Sequence, residues 1–216
     1  MSKYSTIIFD LDGTLIDTLD DITDAINITL DEVKFEKKID NSVVKNIIGN
    51  GARVLMERLF NLLDLSSQQE RLFEEKYFFN YSSRVNIKSK PFKGVVDTLK
   101  ILKEKNYLLG VITNKPDEDA RKCINYYFGD LFDFVVGKKE NIQPKPYKEV
   151  FEQIELLKNV DKNKIVYVGD MDIDIIFSKN IGVDVVICKH GYGKYDEMDQ
   201  YNYLIDSFSD LINIME

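Results

Sequence analysis

Cysteine is scarce: the 216 residues include two, Cys123 and Cys188, far apart and outside any CxxC spacing. That pattern excludes a disulfide framework or a structural zinc site, leaves each cysteine as a small buried apolar residue, and makes a reducing cytoplasm the expected location. Basic residues are outnumbered, 29 Lys and Arg against 37 Asp and Glu, for a net charge of −8. Phosphate backbones and anionic lipids select basic faces, so neither nucleic acid nor a membrane is an expected partner. No apolar run is long enough to span a bilayer, and the one within MSKYSTIIFD is too short for a signal peptide. Internal repeats and low-complexity tracts are also lacking. A single histidine, His190 in KHGYG, is expected to be structural or superficial.

What is present is ordinary for a soluble globular protein, with 44% hydrophobic and 31% charged residues. The length allows one large domain, or a main domain carrying a smaller one. YSTIIF (4–9) reads as a buried strand ended by the turn-rich DLDGT. From Asp17 the period changes. Leu19, Ile22, Ile26, Leu30 and Val33 step by three and four, Val43 to Ile48 continue the stripe, and it breaks at Gly49-Asn50-Gly51. Val54 to Leu63, then Leu72, Phe73, Tyr77 and Tyr81, complete a stretch to about residue 85 that is predicted to be wholly helical.

Strands and helices alternate thereafter. Helix is predicted at 94–105, 115–128, 146–158 and over DIIFSKNIG, and strand at 107–113, 132–137, 164–170 and 183–189. NYLIDS and LINIME close the chain. Continuous apolar strands separated by helices indicate a parallel sheet covered on both faces. The expected fold class is therefore α/β, a Rossmann-like parallel-sheet core (1–16 and 88–216) interrupted after its first strand by an all-helical insert (17–87).

In such a sheet, ligands bind where the carboxyl ends of the strands meet. The polar residues at those ends are Asp10, Asp12 and Thr14 after the first strand, Thr113 and Asn114 after GVIT, and Gly169, Asp170, Asp172 and Asp174 in VGDMDID. Lys145 stands between two prolines in QPKP. Clustered carboxylates need a cation, and an all-oxygen donor set suits Mg²⁺ together with a phosphate oxygen. One carboxylate can then attack phosphorus, and another can protonate the leaving oxygen and later activate water.

DxDGT after the first strand, Thr at the end of the second, Lys in PKP and GDxxxD after the fourth, in that order, resemble the haloacid dehalogenase superfamily of phosphohydrolases. The resemblance covers essentially the whole chain. It implies that Asp10 is the nucleophile and Asp12 the general acid/base, that Thr113, Asn114 and Lys145 bind the phosphoryl group, and that Lys145 also offsets the charge of Asp10. It further implies that Mg²⁺ is held by Asp10, the main-chain carbonyl of Asp12 and Asp170, with Asp174 supporting it. The helical insert would be a cap that closes over the crevice. Its segment IIGNGARVLMERL (47–59) resembles the phosphoglycolate phosphatase branch, where Arg53 would reach a substrate carboxylate. Met171 stands where relatives have Ser or Thr, and Asp172 is an additional acid.

These readings lead to an Mg²⁺-dependent phosphatase acting on a small-molecule phosphate monoester through an aspartyl-phosphate, with 2-phosphoglycolate the foremost substrate. A pyrophosphatase, a 5′-nucleotidase or a sugar-phosphate phosphatase uses the same machinery. A catalytically idle phosphate-binding module is the alternative of another class, and intact Asp10, Asp12, Lys145 and Asp170 argue against it. Oligomeric state leaves no readable sign.

Overall fold

The computed structural model describes residues 2–154, 157–195 and 198–216. Thr6–Phe9 form strand β1, and all four residues are buried. A strand without a wet face belongs inside a parallel sheet. β1 has a parallel neighbour on each side: β4 (Leu108–Pro116), paired from Thr6↔Leu108 to Phe9↔Val111, and β6 (Ile165–Gly169), paired from Thr6↔Ile165 to Phe9↔Val168. With β5 (Phe134–Lys138), β7 (Asp184–Cys188) and β8 (Tyr203–Ile205), the sheet runs in the order β5-β4-β1-β6-β7-β8. All five pairings are parallel. Because the chain leaves β1 toward β4 on one side and reaches β6 on the other, the carboxyl end of β1 is a topological switch point, where a crevice opens.

Helices α5 (Val95–Glu104), α6 (Asp117–Phe128), α7 (Glu149–Glu152), α8 (Asp172–Ile181) and α9 (Leu211–Met215) accompany this sheet. Ile8, Ile112, Tyr167, Phe177 and Ile187 pack in one of its buried clusters. Most boundaries move by one or two residues from the sequence expectation, and two differences are larger. β4 continues three residues beyond Thr113, to Pro116, with its register to β5 shifting between Ile112 and Pro116. The helix predicted at 146–158 is represented by the single turn α7, residues 155 and 156 of that span lying outside the described residues. Its apolar spacing is nevertheless used, since Val150, Phe151, Ile154 and Leu157 are all buried.

The chain divides into two compact units, Met1–Asp17 with Pro91–Glu216, and Thr18–Lys90. The second contains α1 (Leu19–Glu32), α2 (Asn41–Ile47), α3 (Ala52–Leu63) and α4 (Ser67–Ser82). Its core joins Ile22, Ile26 and Leu30 of α1 to Leu59, Phe73 and Tyr77, and the Phe73 and Tyr77 rings stack 5.7 Å apart. Side chains begin two of these helices. Asp40 accepts from the N–H groups of Ser42 and Val43, and Ser66 and Gln69 form a capping box. Two short strands, β2 (Ile16–Asp17) and β3 (Lys90–Pro91), form a separate sheet.

Candidate active site

Asp10 follows β1 directly, and its N–H still donates to Val168 O at 2.9 Å, so the backbone that carries it remains sheet-bound. Its Oδ1 lies 3.1 Å from Lys145 Nζ yet is a buried oxygen without a properly oriented hydrogen bond. Burial pushes the Asp10 carboxyl up to about 6, with Asp174 and Asp12 adding to the effect and Lys145 and the Leu11 N–H opposing it. The chain then turns sharply: Gly13 has φ +85° and its N–H donates to Ile16 O at 2.9 Å. A Cβ on Gly13 would sit 2.4 Å from Asp170 Oδ2, so the turn needs glycine for conformation and for space alike.

Lys145 is buried and its ammonium is held from several sides. Nζ donates to Asp174 Oδ1 at 2.7 Å and to the Tyr167 hydroxyl at 2.8 Å, and that hydroxyl in turn donates to Ile112 O at 2.8 Å. Burial works against the charged amine, but Asp10 and Asp174 outweigh it and keep the lysine protonated. The Lys145 carbonyl accepts from Asn114 Nδ2 at 3.0 Å, which ties this loop to β4. Asp174 is wholly enclosed. Its other oxygen accepts the N–H groups of Asp170 and Met171, both at 3.1 Å, and so braces the turn between β6 and α8.

Asp170 is likewise buried. Oδ1 accepts from Thr14 Oγ1 and Oδ2 from the Tyr192 N–H, each at 2.8 Å. Burial, then Asp174 and Asp10, drive its carboxyl far above the ordinary carboxylate range. The loop after β7 is part of this packing. His190 Nε2 lies 3.0 Å from Thr14 O, its ring sits 4.4 Å from that of Phe92, and a Cβ on Gly191 would fall 2.3 Å from Asp170 Cβ. His190 thus packs against Thr14 and Phe92 as a structural residue, whereas the Tyr192 backbone contact escaped sequence reasoning because a main-chain donor leaves no mark on residue identity.

Asp10, Asp170 and Asp174 place one carboxylate oxygen each within 4.8 Å of one another. Three acids against the single ammonium of Lys145, an orphaned oxygen on Asp10 and the strongly raised Asp170 together describe uncompensated negative charge. An oxygen-only donor set of this kind fits a hard divalent cation such as Mg²⁺. Asp172 stands apart, exposed on the first turn of α8 and bonded to the Ile173 N–H.

Of the other sequence candidates, Thr113 is buried at the bend of β4, where its Oγ1 accepts the Lys115 N–H at 3.3 Å. Arg53 lies in the helical unit on the first turn of α3, 82% exposed in its side chain and paired with Glu57 at 3.2 Å. Arg58 donates to the carbonyls of Ile47 and Ile48 at 3.1 and 3.2 Å and holds the end of α2. Asp12 carries the feature least legible in the sequence. Both its oxygens face the ammonium of buried Lys115, at 3.0 and 3.3 Å.

The family model described as haloacid dehalogenase-like hydrolase matches residues 7–188. The chain belongs to that family. A phosphoglycolate phosphatase of Aquifex aeolicus is 31% identical over 212 residues, covering 97% of this chain and 96% of its own. One from Haemophilus influenzae is 29% identical over 223 residues, 99% of each chain. Among solved structures, that of a predicted phosphoglycolate phosphatase from Haemophilus somnus superposes with a TM-score of 0.90 at 28% identity over 100% of both chains. This haloacid dehalogenase-like protein is accordingly a phosphatase, a phosphoric monoester hydrolase of the phosphoglycolate phosphatase-like branch.

Proposed function

We propose that the enzyme hydrolyses a small-molecule phosphate monoester through an aspartyl-phosphate, and that 2-phosphoglycolate is its substrate. The observation that carries this reading is the unbonded Oδ1 of Asp10 beside an ammonium whose other N–H groups are already committed. A carboxylate oxygen left free at the switch point is available to attack phosphorus. As the P–O ester bond breaks, Asp12 gives its proton to the departing oxygen. Water then attacks the phosphorus of the phosphorylated Asp10, gives a proton back to Asp12, releases inorganic phosphate and restores the carboxylate.

Lys145, Thr113 and Asn114 surround the phosphoryl oxygens, and Lys145 neutralises part of their charge. Asp10, the Asp12 carbonyl and Asp170 would hold Mg²⁺, with Asp174 bracing Asp170 and Lys145 from behind. The cation, when bound, neutralises phosphoryl charge and lets the carboxylates stay ionised together. Substrate identity rests on the names of the relatives and on the stretch around Gly49-Asn50-Gly51. Arg53 follows that turn with its side chain in solvent, and we assign it the carboxylate of the substrate. The helical unit serves as a cap that excludes water during transfer, and the setting is cytoplasmic.

Phosphate release with Mg²⁺ from 2-phosphoglycolate, pyrophosphate, nucleoside monophosphates and hexose phosphates tests this, with Asp10→Asn as the blank. Preference for 2-phosphoglycolate, with KM raised about 10-fold or more by Arg53→Ala as for loss of a charged hydrogen bond, is the expected result. Comparable rates on every ester would remove the substrate assignment. Release that persists in Asp10→Asn would remove the nucleophile.

A further inference from the structure

Lys115 is the strongest feature that the mechanism above leaves unused. Its side chain is 1% exposed, and an ammonium so deeply buried needs a counter-charge. It finds Asp12, whose side chain is 22% exposed. Nζ reaches both oxygens, 3.0 Å to Oδ1 and 3.3 Å to Oδ2, so the contact limits rotation of the carboxylate plane as well as its position. The backbone is arranged to allow it. β4 pairs with β5 as far as Ile112↔Val136 and resumes only at Pro116↔Lys138, and within that irregular stretch the Lys115 N–H is caught by Thr113 Oγ1.

We propose that Lys115 is a positioning residue for Asp12, aiming its carboxyl at the leaving oxygen of the substrate; this rests on the reading of Asp12 as the group that protonates that oxygen. Lys115 touches no reacting atom. Its effect is confined to steps in which Asp12 moves a proton, and that restriction gives it a signature a structural lysine would lack. When the leaving group is an alkoxide, as from 2-phosphoglycolate, cleavage of the P–O bond needs the proton. When it is a stable carboxylate, as from acetyl phosphate, the bond breaks without it. The parameter kcat/KM reports only the steps through departure of the leaving group, so slow hydrolysis of the aspartyl-phosphate does not confuse the comparison.

The test measures kcat/KM on 2-phosphoglycolate and on acetyl phosphate for the unsubstituted enzyme, Lys115→Met and Asp12→Asn, with far-UV circular dichroism to verify folding. For Lys115→Met the ratio of the alkyl to the acyl value is expected to fall by about 10- to 100-fold, the scale at which misplacing a catalytic group is felt. Asp12→Asn is expected to lower the same ratio further, within the roughly 10²–10⁴ of general acid catalysis. If Asp12→Asn lowers the ratio while Lys115→Met slows both substrates equally, or neither, the positioning role is overturned and the mechanism stands. An unchanged ratio in Asp12→Asn instead overturns the reading of Asp12, and with it the role of Lys115. Should Lys115→Met not fold, Lys115→Gln, which keeps a donor without the charge, carries the same comparison.

Discussion

An ammonium has three N–H bonds, and at Lys145 the use of each can be followed. One goes to Asp174 and one to the Tyr167 hydroxyl, which leaves the third for the space beside Asp10. Tyr167 therefore orients a charge rather than merely filling the sheet, and its own proton is committed to Ile112 O. Replacing it by Phe would remove one acceptor from a buried cation and one donor from a buried carbonyl while keeping the ring. Tyr167→Phe is expected to cost about 1–3 kcal/mol of stability, the range for losing hydrogen bonds to charged or buried groups, read as a lower urea midpoint with an unchanged slope. Phosphatase activity is expected to fall with it. An unaltered midpoint would mean that Lys145 holds its place through the carboxylates alone.

Between residues and units stand the elements, and here two acids on α1 do unlike work. Asp21, buried, accepts the N–H groups of Lys88 and Ser89 at 2.9 and 3.0 Å and the Ser89 hydroxyl at 2.5 Å, fastening the segment after α4 to the start of α1. Asp21→Ala would orphan these donors and is expected to destabilise the helical unit by about 1–3 kcal/mol, with Asp21→Asn milder. Asp24 lies partly exposed between Arg84 and Lys88, each at 2.8 Å. Burial pushes its carboxyl up, but the hydrogen bonds from Lys88 and Arg84 outweigh it and hold the group below the ordinary range. A depressed folded value contributes stability above the unfolded value and loses it as pH falls through the folded one. Asp24→Asn should thus be less stable than its parent near neutral pH by up to about 1 kcal/mol, given the exposure. The gap should close as pH drops below 4, the ordinary Asp range, in denaturant titrations at stepped pH. At this scale the sequence is most readable where periodicity and turn chemistry agree, as in β1 running into DLDGT. Lys115 was passed over because its aim depends on the irregular register of β4 after Ile112, which no pattern of residue types announces. The shortness of α7 was hidden for a related reason: burial of Val150, Phe151, Ile154 and Leu157 is achieved without a continuous helix, and apolar spacing cannot separate the two.

For the molecule as a whole, the net charge of −8 and the concentration of acids at one switch point set a cost that a bound cation would relieve. A ligand that binds only the folded state stabilises by mass action, about 2.7 kcal/mol at a hundredfold excess over Kd. For a chain of this size that corresponds to a rise of roughly 5–10 °C in Tm. Since the carboxylate cluster lies entirely within the α/β unit, Mg²⁺ should move the transition of that unit and leave the melting of Thr18–Lys90 where it was, if the two separate in calorimetry. Asp170→Asn is expected to abolish the Mg²⁺ shift. Asp172→Asn is expected to keep it, because that acid is exposed and bonded to its own helix. The pair separates a specific site from general screening of an acidic protein, which both variants would feel alike. A shift that survives in Asp170→Asn would place the cation elsewhere and leave Asp170 as the hydrogen-bond acceptor of Thr14 and Tyr192 instead of a ligand.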